Sequence, residues 1–297
     1  MAIFRSIEDT RERLRAVGYL PDTEIATIVF LADALQMPLL LEGPAGTGKT
    51  ELAKAITACA EAELVRLQCY EGLDEARVLY EWNYRKQLLR IQAAQATTAD
   101  ADAAAGLWDS MHDDIFSEEF LLTRPLLTAI TREGPTVLLV DEVDKTDVEV
   151  EGLLLELLSD FQVSIPEIGT IKAKQRPFVI LTSNATRDLS EALKRRCLYA
   201  YIGYPTLERE SEIVRVRVPE ASTELAQQVV KAVRSMRNLD LRKPPSVAET
   251  IDWARAIIAM GHTSLNDEVA DATLGVVLKH QHDRQRTREQ LQLGGNK

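Results

Sequence analysis

Eight consecutive residues, Gly43-Pro44-Ala45-Gly46-Thr47-Gly48-Lys49-Thr50, fit the pattern G-x-x-x-x-G-K-[ST]. Glycines let a backbone wrap closely and aim its N–H groups at phosphate oxygens. The positive end of a following helix adds to that attraction. Lys49 is placed to reach the β- and γ-phosphates of ATP, and the Thr50 hydroxyl to bind Mg²⁺. Glu51 follows directly and counts with the nucleotide-binding segment. The pattern carries weight only between a strand and a helix. Here Leu39-Leu40-Leu41 precedes it, and Thr50 to Ala62 reads as helix.

A second group stands at Val137-Leu138-Leu139-Val140-Asp141-Glu142. An apolar strand delivers two adjacent carboxylates at its carboxyl end, where α/β sheets bind ligands. Asp141 is the candidate to hold Mg²⁺, directly or through water, and Glu142 the candidate base that polarises an attacking water. Phe178 to Leu181 is a further apolar strand, followed by Thr182-Ser183-Asn184. If it lies beside the strand ending at Val140, Asn184 orients that water; otherwise it caps its own loop through an Asx turn. Ala192-Leu193-Lys194-Arg195-Arg196-Cys197 ends a short helix. Its arginines either cap helix carbonyls or reach a neighbouring subunit's ATP, where such fingers are worth about 10³–10⁵ in rate.

Positioning these groups takes a sheet. The apolar runs 39–41, 64–67, 136–140, 178–181 and 198–202 alternate with helical stretches, one from Asp22 to Pro38 and another from Asp147 to Phe161. Near-continuous apolar strands between helices predict a parallel sheet covered on both faces. Residues 93–110, rich in Ala and Asp, read as a surface insertion, and Val163 to Lys172 as a hairpin around Glu167 and Gly169. After Pro205 the pattern is helical, with Leu265, Val269, Ala272 and Val276 at helical spacing. The boundary is placed at 205: an α/β nucleotide-binding domain over 1–205 and a smaller all-α domain over 206–297. The first 20 residues are polar, and the last 14 read as frayed or disordered.

With 297 residues, 45% hydrophobic and 27% charged, the chain has the composition of a globular protein, and its net charge is -11. That acidity and 5% aromatics argue against phosphate-backbone tracking and base stacking. No run approaches the roughly 20 apolar residues of a membrane span, and the N-terminus has no apolar leader segment. Cys59, Cys69 and Cys197 are scattered, without the spacing of a metal site or disulfide framework. A cytoplasmic protein with reduced thiols is expected.

With these residues in place, the chain resembles AAA+ ATPases. Within them it is similar to the MoxR type, most closely to the accessory ATPases linked to carbon monoxide dehydrogenase maturation, the CoxD-like branch. The stretches LQCYEGLDEARVLYEWNY (67–84), FSEEFLLTRPLL (116–127), LLELLSDFQVSIPEIGTI (154–171), ALKRRCLY (192–199) and KPPSVAETIDWARA (243–256) carry the closer likeness. The resemblance implies a P-loop NTPase parallel sheet flanked by helices (an AAA+ core), a C-terminal helical lid and a homo-oligomeric, hexameric ring hydrolysing ATP between subunits. It makes Arg196 the finger, with Arg195 the fallback, turns the 163–172 hairpin toward the pore, and makes Glu71–Gln92 an insertion. It further implies a von Willebrand factor A domain partner and a metalloenzyme client, a molybdenum hydroxylase for this branch. One departure counts: where AAA+ lids often start a helix with an arginine, this chain has Pro244-Pro245-Ser246-Val247. Arg242 and Lys243, just before it, either substitute or are solvated charges. The rival readings are a nucleic-acid motor, hinted at by Lys172 and Lys174, a nucleotide-gated scaffold with little turnover, and a P-loop kinase.

Overall fold

The computed structural model describes residues 2–97 and 115–291. The expected insertion therefore lies outside the described residues from position 98 onward. The polar opening segment holds α1 (Ile7–Ala16), capped by Ser6 with Asp9 N–H on its hydroxyl. It escapes the periodicity because few of its residues are apolar; Leu14 is fully buried beside Thr10. Helix α2 (Thr23–Leu35) starts where expected, the Asp22 carboxylate accepting the Ile25 N–H at 2.7 Å.

Then follow β1 (Leu39–Glu42), α3 (Lys49–Cys59), β2 (Glu63–Gln68), α4 (Glu75–Val78), β3 (Tyr80–Trp82), α5 (Tyr84–Thr97), β4 (Leu121–Thr123), α6 (Pro125–Thr131) and β5 (Thr136–Asp141). The order continues through α7 (Val148–Asp160), β6 (Gln162–Ile165), β7 (Gly169–Lys172), β8 (Phe178–Ser183), α8 (Glu191–Lys194) and β9 (Leu198–Tyr201). Five strands form one parallel sheet in the order β2-β5-β8-β1-β9. Strand β5 shows why its sequence is apolar throughout. Val137 and Leu139 pack on one face with Val29, Leu52 and Ile56, while Leu138 and Val140 pack on the other with Ile130, Leu154 and Leu157. Both faces are dry, so alternation disappears. The segment 163–172 forms the antiparallel hairpin β6–β7, with Val163 opposite Ile171.

Helices α9 (Leu207–Arg217), α10 (Thr223–Arg237), α11 (Val247–Ala259), α12 (Asp267–Val277) and α13 (Gln281–Leu291) complete the described chain. They enclose their own hydrophobic cluster, around the fully buried Trp253 with Val230, Val233 and Leu274. In α12 the buried stripe is Val269, Ala270, Thr273, Leu274 and Val277. It is turned from the expected one, and Ala272 is exposed. The reason is Thr273, whose hydroxyl goes inward to accept the Trp253 indole N–H at 2.7 Å. The C-terminal segment is helical to Leu291 where fraying was expected. Buried Asp283 anchors it by accepting the N–H groups of Arg242 and Lys243 at 3.0 and 3.1 Å.

Candidate nucleotide site

The loop leaving β1 opens at the carboxyl edge of the sheet, beside the ends of β5 and β8. Gly43 is where a side chain is impossible: a Cβ would run into the backbone carbonyl of Ile202. Gly46 has φ +73° and lies against Ser246 at the start of α11. Gly48 caps α3 without any side-chain bond, so the first-turn N–H groups are left for a ligand. Lys49 is buried, its Nζ donating to the carbonyls of Gly43 and Pro44 at 2.6 and 2.8 Å. Burial pulls its pKa down, against the opposing pull of Asp144, Asp141 and Glu142.

The structure brings the predicted groups together. The Thr50 hydroxyl donates to Asp141, 3.2 Å from Oδ1 and 3.4 Å from Oδ2. Asp141 is 3% exposed and also accepts the Thr182 hydroxyl at 2.5 Å. A buried carboxylate beside a hydroxyl is a set of hard oxygen donors, which suits Mg²⁺. Glu142 follows in the left-handed region, φ 59°, a conformation that persists where surroundings enforce it. Here its N–H is held by the Thr182 hydroxyl at 2.9 Å. Strand β8 does pair with β5, and the Asn184 amide donates to Glu142 Oε1 at 3.1 Å. Glu51 lines the same cavity but is engaged by Lys54 and by Arg217 of α9, both at 2.6 Å.

Arg195 and Arg196 stand apart from this cavity. Arg196 donates to Ser159 Oγ at 2.6 Å and to the Ala192 carbonyl at 2.9 Å, the carbonyl-capping contact that the sequence left open. Arg195 caps α8. Arg242 and Lys243 are exposed and do not reach the loop. The C-terminal helices touch it instead through Ser246 and the Ala248 N–H, 3.3 Å from the Gly46 carbonyl. The three cysteines are buried and free, and burial pushes the Cys69 and Cys197 thiols up to about 12.

Sequence reasoning missed four contributors. Arg66 pairs with Asp141 at 2.5 Å, and Gln68 donates to Glu142 Oε2 at 3.1 Å. Lys145 pairs with Glu142 at 2.6 Å. Buried Asp144 accepts the N–H groups of Asn184 and Thr186 at 3.2 and 3.0 Å, which sets the loop after β8. Arg66 and Gln68 alternate with inward Val65 and Leu67, and that alternation was the available signal.

The loop from Ala45 to Thr50 lines a cavity of about 580 Å³ with Arg66, Gln68, Asp141, Glu142 and Asn184, within the usual range for a small-molecule site. Apolar Leu20, Ile25, Pro205, Ile213 and Ile251 are also among its walls. No helix among the described residues is long and apolar enough to cross a membrane.

A family model described as AAA domain (dynein-related subfamily) matches residues 38–197. The gas vesicle ATPase GvpN of Haloferax mediterranei is 25% identical over 213 residues, covering 67% of this chain and 56% of that protein. The chaperone protein ClpB 1 of Thermosynechococcus vestitus is 27% identical over 182 residues, covering 60% of this chain and 16% of that protein. The chain thus spans little more than half of the first relative and a small part of the second. Among solved structures, a mutant of Thermotoga maritima RuvB superimposes with a TM-score of 0.51 at 19% identity, covering 92% of this chain and 71% of that one; this likeness is one of fold. By the span of the family match, which includes the loop, both carboxylates and Asn184, the chain belongs to the AAA domain family, dynein-related subfamily, of P-loop nucleoside triphosphatases.

Proposed function

We propose that this chain binds ATP with Mg²⁺ in the 580 Å³ cavity and hydrolyses it to drive the remodelling of a protein client. The observation that carries the reading is the contact between Thr50 and Asp141, which joins the phosphate-binding loop to the strand-end carboxylates. In this reading the N–H groups of Ala45 to Thr50 and the Lys49 ammonium take the phosphates. The base packs against the apolar wall residues, such as Leu20, Ile213 and Ile251. Thr50 and Asp141 hold Mg²⁺, which when bound supplies neutralising charge to the phosphate oxygens. Glu142 accepts a proton from the attacking water, and Asn184 fixes the Glu142 carboxylate for that task. Glu51 ties α3 to α9 beside the bound nucleotide.

Arg196, with Arg195 as fallback, serves the nucleotide of an adjacent subunit in a hexameric ring. Its place outside its own chain's cavity supports that reading. Residues 1–205 form the nucleotide-binding domain and 206–297 a lid that moves with turnover; the separate cluster around Trp253 supports the division. The MoxR-type and CoxD-like assignment, the von Willebrand factor A domain partner, the metalloenzyme client and a cytoplasmic location belong to this proposal. They rest on the sequence resemblance alone.

The test is Glu142→Gln, which keeps shape and removes the base. Nucleotide affinity is expected to stay near that of the unaltered protein, while phosphate release falls about 10²–10⁴-fold. Near-normal turnover would remove Glu142 from the mechanism.

A further inference from the structure

Asp141 is a buried carboxylate, and burying such a charge needs a compensating one. Lys49, the cation expected beside it, spends its ammonium on the carbonyls of Gly43 and Pro44. The counter-charge comes from Arg66, whose Nη2 is 2.5 Å from Asp141 Oδ2. The Thr50 hydroxyl reaches both carboxylate oxygens, Oδ1 at 3.2 Å and Oδ2 at 3.4 Å, so Arg66 holds one of the two oxygens that a cation there would draw on.

Arg66 is built to leave. It lies on β2, the edge strand of the sheet, and its side chain is 48% exposed. Its other partner on the site is Gln68 Oε1, at 2.5 Å on the same face of the strand. A divalent cation and a guanidinium sharing one carboxylate oxygen would repel each other across a few ångströms. Each therefore weakens the other's hold on Asp141.

We propose that Arg66 is a resident counter-ion of Asp141 that Mg²⁺ must displace, so that this side chain sets how much metal the site requires. The inference rests on the reading that Thr50 and Asp141 take Mg²⁺. In the metal-free site Arg66 keeps the carboxylate neutralised and the strand ends in place. On loading, the guanidinium swings into water along the open edge of β2, where its hydration is recovered.

The experiment titrates Mg²⁺ against binding of a fluorescent ADP analogue, with an EDTA arm for metal-free binding. Arg66→Gln removes the charge and keeps a polar side chain at an exposed position. Its half-saturating Mg²⁺ is expected to fall about fivefold, the size of one partly exposed ion pair. Arg66→Lys keeps the charge on a head with no planar fork and is expected between the two. It also gives the same reading should the glutamine variant not fold. An unchanged or higher Mg²⁺ requirement in either variant, with nucleotide still bound, would overturn the role of Arg66 alone. Failure of the unaltered protein to bind the analogue, or binding indifferent to EDTA, would overturn the parent reading and this one with it.

Discussion

Asp141 at the carboxyl end of β5 and Glu210 in α9 are both buried carboxylates paired with an arginine, and they are built differently. Glu210 is 0% exposed and takes both terminal nitrogens of Arg237, at 2.7 and 2.8 Å, together with the Thr250 hydroxyl at 2.8 Å. Arg237 is itself enclosed. It lies over the Tyr204 ring at 4.3 Å and donates to the Pro245 carbonyl at 2.7 Å. Asp141 has one guanidinium nitrogen, from a side chain left half in water. A bidentate, dry pair fixes geometry, whereas a single, wet one is exchangeable. The difference follows the work of each region. The Glu210 pair joins α9, α10 and the turn into α11, and so holds Ser246 against Gly46. In the proposed function the Asp141 pair yields to a ligand.

The contrast breaks first at Arg237. Removing one partner of a dry pair leaves an uncompensated buried charge. Arg237→Ala is therefore expected to cost about 3–5 kcal/mol, measured as the fall in urea midpoint of the C-terminal helices. A loss under about 1 kcal/mol, the range of exposed pairs, would mean that Glu210 is served as well by Thr250 alone, and the distinction between the regions would not stand.

Asp144 sharpens it at the intermediate level, because it is buried two residues from Glu142 yet is bonded by the neutral donors of Asn184 and Thr186. Burial pushes its carboxyl up, but the Thr186 hydroxyl and the N–H groups of Thr186 and Asn184 outweigh burial, so its pKa lies below the ordinary value. A depressed carboxyl contributes stability that is full above the unfolded value, about 3.9, and is lost as pH falls through the folded value. The unaltered protein should therefore lose stability below about pH 4. Asp144→Asn turns an amide against donors and should cost about 1–3 kcal/mol at neutral pH. Its denaturant midpoint should then depend less on pH in the acid window. An equally steep decline in the variant would assign the acid sensitivity to other carboxyls, such as Asp283, which two backbone N–H groups also hold low against burial.

What the sequence disclosed follows the same division. The loop from Gly43 to Thr50, the pair at Asp141 and Glu142, and the five core strands were legible because each is local. A glycine pattern, an apolar run and two adjacent acids need no partner to be recognised. Arg66 and Gln68 were not legible, because their meaning depends on the register that sets Gln68 beside Asp141, and register is decided across 73 positions of chain. No local pattern singles out Glu210 and Arg237, whose pairing exists only once the helices close on them. The contact of the C-terminal helices with the loop was sought in the charges of Arg242 and Lys243. It is made by backbone and a hydroxyl, which no charge pattern announces. Helix α1 was missed for a related reason: it is stabilised by a cap and by Arg13 donating to the carbonyls of Ile3 and Cys59, not by an apolar stripe.

The smallest expected effect lies at Arg217 of α9, which reaches Glu51 on α3 at 2.6 Å across the mouth of the cavity. Both side chains are about 40% exposed. Burial raises the Glu51 pKa, but the cations of Lys54 and Arg217 outweigh it and leave it low. Such a pair is screened by salt and costs side-chain entropy to hold. Arg217→Ala is expected to change stability by less than about 1 kcal/mol at low ionic strength and by almost nothing at 1 M salt. Lys54 keeps Glu51 compensated in the variant, so no buried charge is stranded. If the variant instead costs several kilocalories, or its effect persists in high salt, the link between α9 and α3 is a fixed strut of the same kind as Glu210 and Arg237. A C-terminal unit pinned at that mouth would have to carry any turnover-driven motion elsewhere, in the loop at Ser246.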